Sequence, residues 1–311
     1  MVLLEQFLIL VIGLVVLAKS AEVVIDKGAA LAKLLRVSEL AVGFLLVSIA
    51  TTIPELVVSL IAASEGHTGL VVGNVLGSNI TNLSLILGLA ATFGVVTSKK
   101  FQVRPLLPGL SALVLIPLIL TAVDLGRMAG LLLLAAYGVF AYVALQKKIT
   151  YEDGPVVSSQ SVTRDAALML LAGAALAIGA KLTVNSSVFI AEGFGLSKVF
   201  IGATVVAIGT SLPELAVAFA ALRNGHSGIA LGNLVGASIT NLTLTLGLAT
   251  LINPISANLI VVFDLVVFSV IVSGVLWFFL ENGRLGKNQG VALLGVFLLY
   301  LASLLTVELG L

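Results

Sequence analysis

Two glutamates lie within strongly apolar stretches of the sequence, each directly after a proline. Glu55 ends the segment TTIPE and Glu214 ends the segment TSLPE. A bare carboxylate in the hydrocarbon core of a membrane costs about 2.5 to 3.5 kcal/mol on insertion scales, so it needs a partner or a proton. The apolar segments around these acids carry no Lys or Arg at the same depth. We therefore expect the counter-charge to come from outside the chain; the alternative is two protonated acids that only hydrogen-bond to neighbouring helices.

The residues beside each glutamate supply neutral oxygen atoms on the same helix face. Pro54 and Pro213 lack an N–H group, which frees the carbonyls four residues earlier, at Ala50 and Gly209. A plain helix kink is the alternative role of these prolines. Hydroxyl groups three and four residues before each acid share its helix face. They belong to Thr51, Thr52, Thr210 and Ser211.

A second polar stripe, with a spacing of four residues, follows each acid. The two copies of the stripe are Asn74, Ser78 and Asn82, then Asn233, Ala237 and Asn241. Helix packing is the alternative role, because GNVLG resembles a small-residue packing motif. Ca²⁺ takes about six to eight oxygen ligands of these types, without the strict octahedron of Mg²⁺. Cysteine and paired histidines are absent at this depth, which argues against zinc or copper. A hard cation is predicted, with no cofactor.

The composition predicts an all-α membrane protein. Of the 311 residues 59% are hydrophobic and 10% are charged, whereas soluble domains carry about 25% charged residues. Apolar runs of about 20 residues favour transmembrane helices over barrel strands. The N-terminal MVLLEQFLIL has no basic start and no cleavage site, which favours a retained first helix. The ten predicted helices span 4–26, 39–64, 68–96, 103–123, 127–146, 165–190, 198–222, 227–252, 256–280 and 289–309.

The placement of basic residues predicts the orientation of these helices, since cytoplasmic connections are enriched in Lys and Arg. Only Arg127 and Lys198 fall in even-numbered connections. The odd-numbered connections or their edges hold Lys27, Lys33, Arg36, Lys99, Lys100, Arg104, Lys147, Lys148, Arg164, Arg223, Arg284 and Lys287. The chain is therefore predicted to lie in the cell membrane with both termini outside. The net charge of +1 indicates no nucleic-acid partner. We expect inorganic cations and the lipid bilayer as partners, and a functional monomer.

The sequence contains an internal repeat. The segment VGNVLGSNITNLSLILGLA at 72–90 returns as LGNLVGASITNLTLTLGLA at 231–249, an offset of 159 residues that also relates TTIPE to TSLPE. We divide the chain into a first repeat at 1–146, a short cytoplasmic linker at 147–163 and a second repeat at 164–311. Because each repeat holds five predicted helices, an odd number, the second copy must be inverted in the membrane. Inverted repeats are typical of secondary transporters with a midplane site.

These motifs resemble those of the sodium/calcium exchanger family within the calcium/cation antiporters. The family pattern GTSLPE with GNxxGSxxxN corresponds here to ATTIPE with GNVLGSNITN, and to GTSLPE with GNLVGASITN. The resemblance implies ten helices, in which the second, third, seventh and eighth surround the ions while the first and sixth slide past them. It also implies the following ligands: Thr51, Thr52, Glu55, Ser78, Asn82, Thr210, Ser211, Glu214 and Asn241, with the backbone oxygens of Ser48 and Ala207.

The sequence departs from this family at two positions that bear on the counter-ion. Ala237 and Asn241 stand where archaeal members carry a serine and an aspartate, which removes a hydroxyl and a negative charge. One Ca²⁺ or two protons neutralise the remaining two acids, whereas three Na⁺ leave an excess charge. We therefore predict Ca²⁺ antiport with H⁺ favoured, although Gly77 stands where proton/calcium exchangers carry the glutamate of GNxxE. Na⁺/Ca²⁺ exchange is the close alternative and a cation channel a weaker one. No constellation of nucleophile, base and metal indicates an enzyme.

We expect the remaining polar residues to have local structural roles outside the cation site. For His67 and His226 we expect interfacial capping, with pH sensing as the alternative. For Asp264 we expect a carboxyl that reaches water or a neighbouring hydroxyl, with a transport role as the alternative. Lys19 and Lys181 are expected to extend to the membrane surface or to pair with acids such as Glu22.

Overall fold

The described part of the chain is helical. The structure, a computed structural model, describes residues 2–35, 42–66, 68–93, 107–122, 124–146, 159–193, 207–255, 259–283 and 285–309. Extended pairing within these ranges is limited to Leu125 and Ile255, whose backbones exchange hydrogen bonds of 2.8 and 2.9 Å. The all-α prediction is therefore confirmed for these residues.

The described helices include three π-helical segments that sequence periodicity did not predict. In chain order they are α1 Val2–Leu35, π1 Gly43–Val47, α2 Ser48–Thr51, α3 Ile53–Ser64, α4 Thr68–Ile80, π2 Thr81–Ile86, α5 Leu87–Thr92, α6 Leu107–Ala122, α7 Arg127–Gln146, α8 Ser159–Gly193, α9 Ala207–Thr210, α10 Leu212–Arg223, α11 Ser227–Thr240, π3 Asn241–Thr245, α12 Leu246–Ile252, α13 Leu259–Glu281 and α14 Lys287–Leu309.

Two helices are longer than predicted. Helix α1 continues to Leu35 instead of ending at 26, and α8 begins at Ser159 instead of 165. The predicted limits followed the apolar run, but charged residues do not break a helix that extends beyond the hydrocarbon. The structure places charged residues of the two helices together, since Lys27 Nζ lies 3.2 Å from Asp165 Oδ1.

Several helices are long and apolar enough to cross a membrane. Within the described residues, five meet that criterion by length and composition, at 71–92, 127–144, 227–252, 263–281 and 287–306. Residues 43–51 and 53–64 form a sixth when they are taken as one span bent by 55°. This pattern supports a multispanning membrane protein.

The two segments that contain the GN motifs form the centre of the molecule. Of the apolar window at 71–92, 83% is buried, and of the window at 227–252, 78% is buried, compared with 6% for 127–144. Helix α7 therefore presents most of its apolar surface outwards, as expected of a helix that faces lipid. The centre consists of α4, π2 and α5 together with α11, π3 and α12.

The two copies of the repeat have the same local backbone structure. Thr52 and Ser211, which are 159 residues apart, interrupt their helices with φ/ψ of −81°/3° and −86°/5°. Gly66 and Gly225, also equivalent, have φ of 81° and 80° in the following turns. This left-handed conformation favours glycine because it has no Cβ. The duplicated sequence thus produces a duplicated break and a duplicated turn.

Glycines allow α11 to approach π1 backbone to backbone. A Cβ atom added to Gly236 would lie 2.5 Å from the Phe44 carbonyl oxygen, and one added to Gly43 would lie 3.0 Å from the backbone nitrogen of Asn233. A Cβ on Gly43 would also lie 2.5 Å from the Ile229 carbonyl oxygen, so neither glycine can be replaced without a shift of the backbone. The packing role considered for the small residues of the GN motif therefore applies to Gly236.

Candidate cation site

Each of the two glutamates lies in the first turn of a helix that begins at a break. Glu55 and Pro54 lie at the start of α3, directly after the interruption at Thr52. Glu214 lies in the same position at the start of α10. Proline suits this position, because the first N–H groups of a helix have no partner within it. The prolines therefore begin a new helix and do not merely kink a continuous one.

Both carboxylates are completely buried without a basic partner among the described residues. The exposed fraction of Glu55 and of Glu214 is 0%. Neither acid belongs to an ion pair with Lys or Arg in the described part of the chain, where Lys19 pairs with Glu22 and Lys27 with Asp165. No cluster of three or more His, Cys, Asp or Glu side chains occurs there either. Among the residues that the structure describes, the site thus has two carboxylates, and its other ligand groups are neutral.

The two acids come from different halves of the chain and lie near each other. The carboxylates of Glu55 and Glu214 interact electrostatically. Ser211 Oγ donates to Glu55 Oε1 at 3.4 Å, and the Thr210 hydroxyl also faces Glu55. The Thr51 hydroxyl faces Glu214 in the same way. Two hydroxyl groups of the second half therefore lie beside Glu55, and one hydroxyl group of the first half lies beside Glu214.

The central helices add amide and hydroxyl groups to this arrangement. Ser78 Oγ lies 3.5 Å from Thr210 Oγ1, which connects α4 with α9. Asn82 and Asn241 are completely buried, and neither end of either amide has a hydrogen-bond partner among the described residues. Buried polar groups are nearly always paired in folded proteins. These amides and both oxygens of Glu214 lack hydrogen-bond partners within the ranges that the structure describes. Their oxygen atoms are of the type that ligates a hard cation.

The two predicted backbone ligands lie at the helix breaks and accept hydrogen bonds there. The Ser48 carbonyl accepts from Thr52 N at 2.9 Å, from Thr52 Oγ1 at 2.7 Å and from Thr51 Oγ1 at 3.2 Å. The Ala207 carbonyl accepts from Ser211 N and Thr210 Oγ1, both at 3.3 Å. A carbonyl oxygen has two lone pairs. Cation binding at Ser48 therefore requires at least one hydroxyl to turn away.

Two asparagines take part in contacts that the sequence did not predict. Asn79 Nδ2 donates to the Ser238 carbonyl at 3.1 Å, between positions that are 159 residues apart. Asn233 Oδ1 accepts from Thr51 Oγ1 at 3.1 Å. The only signal for the first contact is the repeat offset, because equivalent residues meet where a symmetry axis passes between them. The second contact depends on how α11 packs against π1.

The remaining polar residues have the local partners that were expected or lie away from the site. Asp264 accepts a hydrogen bond from Ser303 Oγ at 3.0 Å, which is the kind of neighbouring hydroxyl expected for it. Lys19 Nζ lies 3.1 Å from Glu22 Oε2, as predicted. His226 occupies the N-cap position of α11, but its side chain makes no capping hydrogen bond there. His67 lies outside the described residues.

Comparison with known proteins decides the family. The profile of the sodium/calcium exchanger protein family matches residues 5–146 and 165–306. This chain belongs to the sodium/calcium exchanger family. The sequence motifs therefore identified the family correctly, and the match covers both repeats.

Individual members of this family are similar over nearly the whole chain. The sodium/calcium exchanger MaX1 of Methanosarcina acetivorans is 33% identical over 96% of this chain and 98% of its own. The inner membrane protein YrbG of Escherichia coli is 33% identical over 95% of both chains. The solved sodium-calcium exchanger NCX_Mj superposes with a TM-score of 0.82 at 26% identity, covering 97% of this chain and 99% of that one. The fold is thus that of a membrane exchanger.

Proposed function

We propose that the protein is a secondary active antiporter that carries Ca²⁺ across the cell membrane in exchange for a monovalent cation, with H⁺ favoured. The observation that carries this proposal is the pair of completely buried acids, Glu55 and Glu214, which lie directly after two helix breaks and interact electrostatically. Neither acid has a basic partner among the described residues. An uncompensated charge at such a site is unfavourable, so a cation or protons must accompany it.

The proposed ligands are the groups that converge on this pair. Membership of the exchanger family and the burial of these groups support their role. The proposed set is Ser48, Thr51, Thr52, Glu55, Ser78, Asn82, Ala207, Thr210, Ser211, Glu214 and Asn241, with Ser48 and Ala207 contributing backbone oxygens. Ca²⁺ and H⁺ or Na⁺ are substrates of the site, and no resident cofactor is required.

The proposed architecture is ten transmembrane helices in two inverted repeats. Reciprocal contacts support it: a Cβ added to Gly88 in α5 would lie 3.1 Å from the Gly290 oxygen in α14, and one added to the equivalent Gly247 in α12 would lie 3.1 Å from the Gly130 oxygen in α7. Such an exchange of partners requires a two-fold relation and not a translation. Because each proposed repeat holds five spans, the axis then lies in the membrane plane.

Alternating access is proposed to arise from movement of α1 and α8 over the site. These two helices pack against each other, and they also contact the broken helices, α1 at α10 and α8 at α2 and α9. A Cβ added to Gly173 of α8 would lie 3.0 Å from Ala50 Cβ, directly beside the first break. A sliding of this pair therefore changes what covers the two acids.

The charge of the site favours protons over sodium as the counter-ion. Two carboxylates balance one Ca²⁺ or two H⁺, and Asn241 contributes no third charge. Na⁺/Ca²⁺ exchange is the second candidate, because the similar proteins MaX1 and NCX_Mj are sodium/calcium exchangers. A channel is less favoured, since duplicated broken helices around one occluded site are typical of transporters.

We expect an H⁺ gradient to drive ⁴⁵Ca²⁺ into proteoliposomes that contain the purified protein. The two gradients are tested separately, with H⁺ or Na⁺ outwardly directed and with protein-free liposomes as the control. Uptake driven by Na⁺ alone would refute the proton preference but not antiport. Uptake at equal rates without any opposing ion would refute antiport and indicate a channel.

The inverted repeat predicts that equivalent turns face opposite sides of the membrane. Glu65 and Asn224 are equivalent, exposed and located in the turns after α3 and α10. The chain has no cysteine, so a single introduced cysteine reports its own position. We expect an impermeant maleimide to label Glu65→Cys in intact cells and Asn224→Cys only after permeabilisation. Labelling of both variants from the same side would rule out the inverted arrangement.

A further inference from the structure

Two asparagines at equivalent positions of the repeats make different contacts. Asn74 Nδ2 donates to the Glu55 carbonyl at 3.0 Å and to Ser59 Oγ at 2.9 Å, which ties α4 to α3. Asn233 instead accepts from the Thr51 hydroxyl in the other half, at 3.1 Å. The residue equivalent to Ser59 is Ala218, which has no hydroxyl to hold an amide. The second asparagine is therefore available for a contact across the repeat interface.

The packing of α11 holds Asn233 at this place. Asn233 is completely buried, and its Nδ2 atom has no hydrogen-bond partner among the described residues. Gly236, three residues later, lies against the backbone of Phe44, and Gly43 lies against the backbone nitrogen of Asn233. These close contacts fix the separation of α11 and π1, so Asn233 Oδ1 remains within reach of Thr51.

The chemistry of a hydroxyl ligand explains why this contact matters. A threonine hydroxyl has one hydrogen and two acceptor lone pairs, so it binds a cation only when its hydrogen is donated elsewhere. The acceptors around Thr51 Oγ1 are the Ser48 carbonyl at 3.2 Å, Asn233 Oδ1 at 3.1 Å and the carboxylate of Glu214, whose side of the site must receive the Thr51 lone pairs if a cation is to bind there. The Ser48 carbonyl already accepts from both donors of Thr52 and is itself a proposed ligand. Donation to Asn233 leaves that carbonyl less crowded and turns the Thr51 lone pairs away from Asn233.

We propose that Asn233 is a positioning residue for the transported cation: it takes the hydrogen of the Thr51 hydroxyl and so directs the oxygen of Thr51 towards the two acids. Asn74 has no such role and only ties its own two helices together. This inference rests on the proposed function, because it assigns a task to a residue beside the proposed site. It makes the two halves of the site unequal, with the second half orienting a ligand of the first.

A double-mutant cycle between Asn233 and Thr51 tests the inference. We expect Asn233→Ala to raise the Ca²⁺ concentration for half-maximal exchange by about 5- to 10-fold, in line with the loss of a buried hydrogen bond to a binding group. The maximal rate at saturating Ca²⁺ should change by less than about 2-fold, since bound Ca²⁺ is carried by the unchanged acids. Thr51→Val should give a similar shift, and adding Asn233→Ala to it should have little further effect.

Two further variants keep the test decisive. Asn74→Ala is the matched control, and we expect it to lower the melting temperature in detergent without Ca²⁺ while the half-saturation concentration stays within about 2-fold of wild type. Ala218→Ser offers Asn233 Nδ2 the hydroxyl acceptor that Asn74 Nδ2 has, which should draw the amide towards α10 and its Oδ1 atom away from Thr51, so half-saturation should shift in the same direction as in Asn233→Ala. If Asn233→Ala does not fold, Ala218→Ser still tests the proposal, because it leaves Asn233 in place.

Independent, multiplying effects of Asn233→Ala and Thr51→Val would overturn the positioning role, as would equal shifts in half-saturation for Asn74→Ala and Asn233→Ala. An unchanged half-saturation in Ala218→Ser, with wild-type folding, would overturn the explanation of the asymmetry. Failure of the wild-type protein to exchange Ca²⁺ at all would refute the proposed function instead, so the two failures are distinguishable.

Discussion

Neutralising either buried acid is expected to abolish Ca²⁺ exchange. Glu55→Gln and Glu214→Gln keep the size of the side chain but remove one of the two charges that balance Ca²⁺ in a completely buried site. Loss of one partner of a buried charge pair costs about 2 to 5 kcal/mol. We therefore expect exchange at subsaturating Ca²⁺ to fall by at least about 30-fold in each single variant. Initial ⁴⁵Ca²⁺ uptake by proteoliposomes measures this effect.

A control variant separates the effect of losing a carboxylate at the site from the effect of losing one elsewhere in the protein. Glu281→Gln removes an exposed carboxylate at the end of α13 and should leave uptake unchanged. The melting temperature without Ca²⁺ should not fall in the two site variants, because a neutral amide is easier to bury than a carboxylate. What should disappear is the rise in melting temperature that Ca²⁺ causes in the wild type. Normal uptake by the Glu55→Gln, Glu214→Gln double variant would exclude the site.

The sequence was sufficient to predict the two acids, their hydroxyl neighbours and the family. A carboxylate in an apolar run is costly, so Glu55 and Glu214 are conspicuous without any structure. The 159-residue offset then relates each group to its partner in the other half. The structure brings these groups together at Thr52 and Ser211, where the helices are interrupted.

The limits of the long helices and the contacts across the repeat interface were not predictable in the same way. Helix α1 continues nine residues beyond its predicted end, because hydropathy reports the thickness of the hydrocarbon and not the length of the helix. The segment π2 has no distinct periodicity that would separate it from α4. The contact between Asn233 and Thr51 depends on the spacing of two helices, which Gly43 and Gly236 set from opposite sides.

The number of spans and the orientation of the repeats could be predicted from the sequence only in part. The basic residues and the odd number of predicted spans per half favour inversion, and the reciprocal contacts at Gly88 and Gly247 have the form that a two-fold axis produces. Length and composition alone identify only part of the proposed spans. Within the described residues five helices meet that test, or six if the bent pair is one span.

A third carboxylate in the site should change the counter-ion. Asn241→Asp introduces an acid where the sequence differs from archaeal members of the family, in a completely buried position of π3 whose amide atoms have no partner among the described residues. Three negative charges balance three Na⁺, whereas one Ca²⁺ or two H⁺ leave a charge uncompensated. At about 4 Å and an effective dielectric constant of about 20, a carboxylate attracts Na⁺ by about 4 kcal/mol.

A third of that energy is sufficient for a tenfold change, so we expect the ratio of Na⁺-driven to H⁺-driven ⁴⁵Ca²⁺ uptake to rise at least about 10-fold in Asn241→Asp. Asn224→Asp adds the same charge in an exposed turn outside the site and should leave the ratio unchanged. An Asn241→Asp protein that folds and transports with the wild-type ratio would show that the charge of the site does not choose the counter-ion. Uptake by the wild-type protein that only Na⁺ drives would also contradict control of the counter-ion by site charge. Two carboxylates would then be sufficient for sodium coupling.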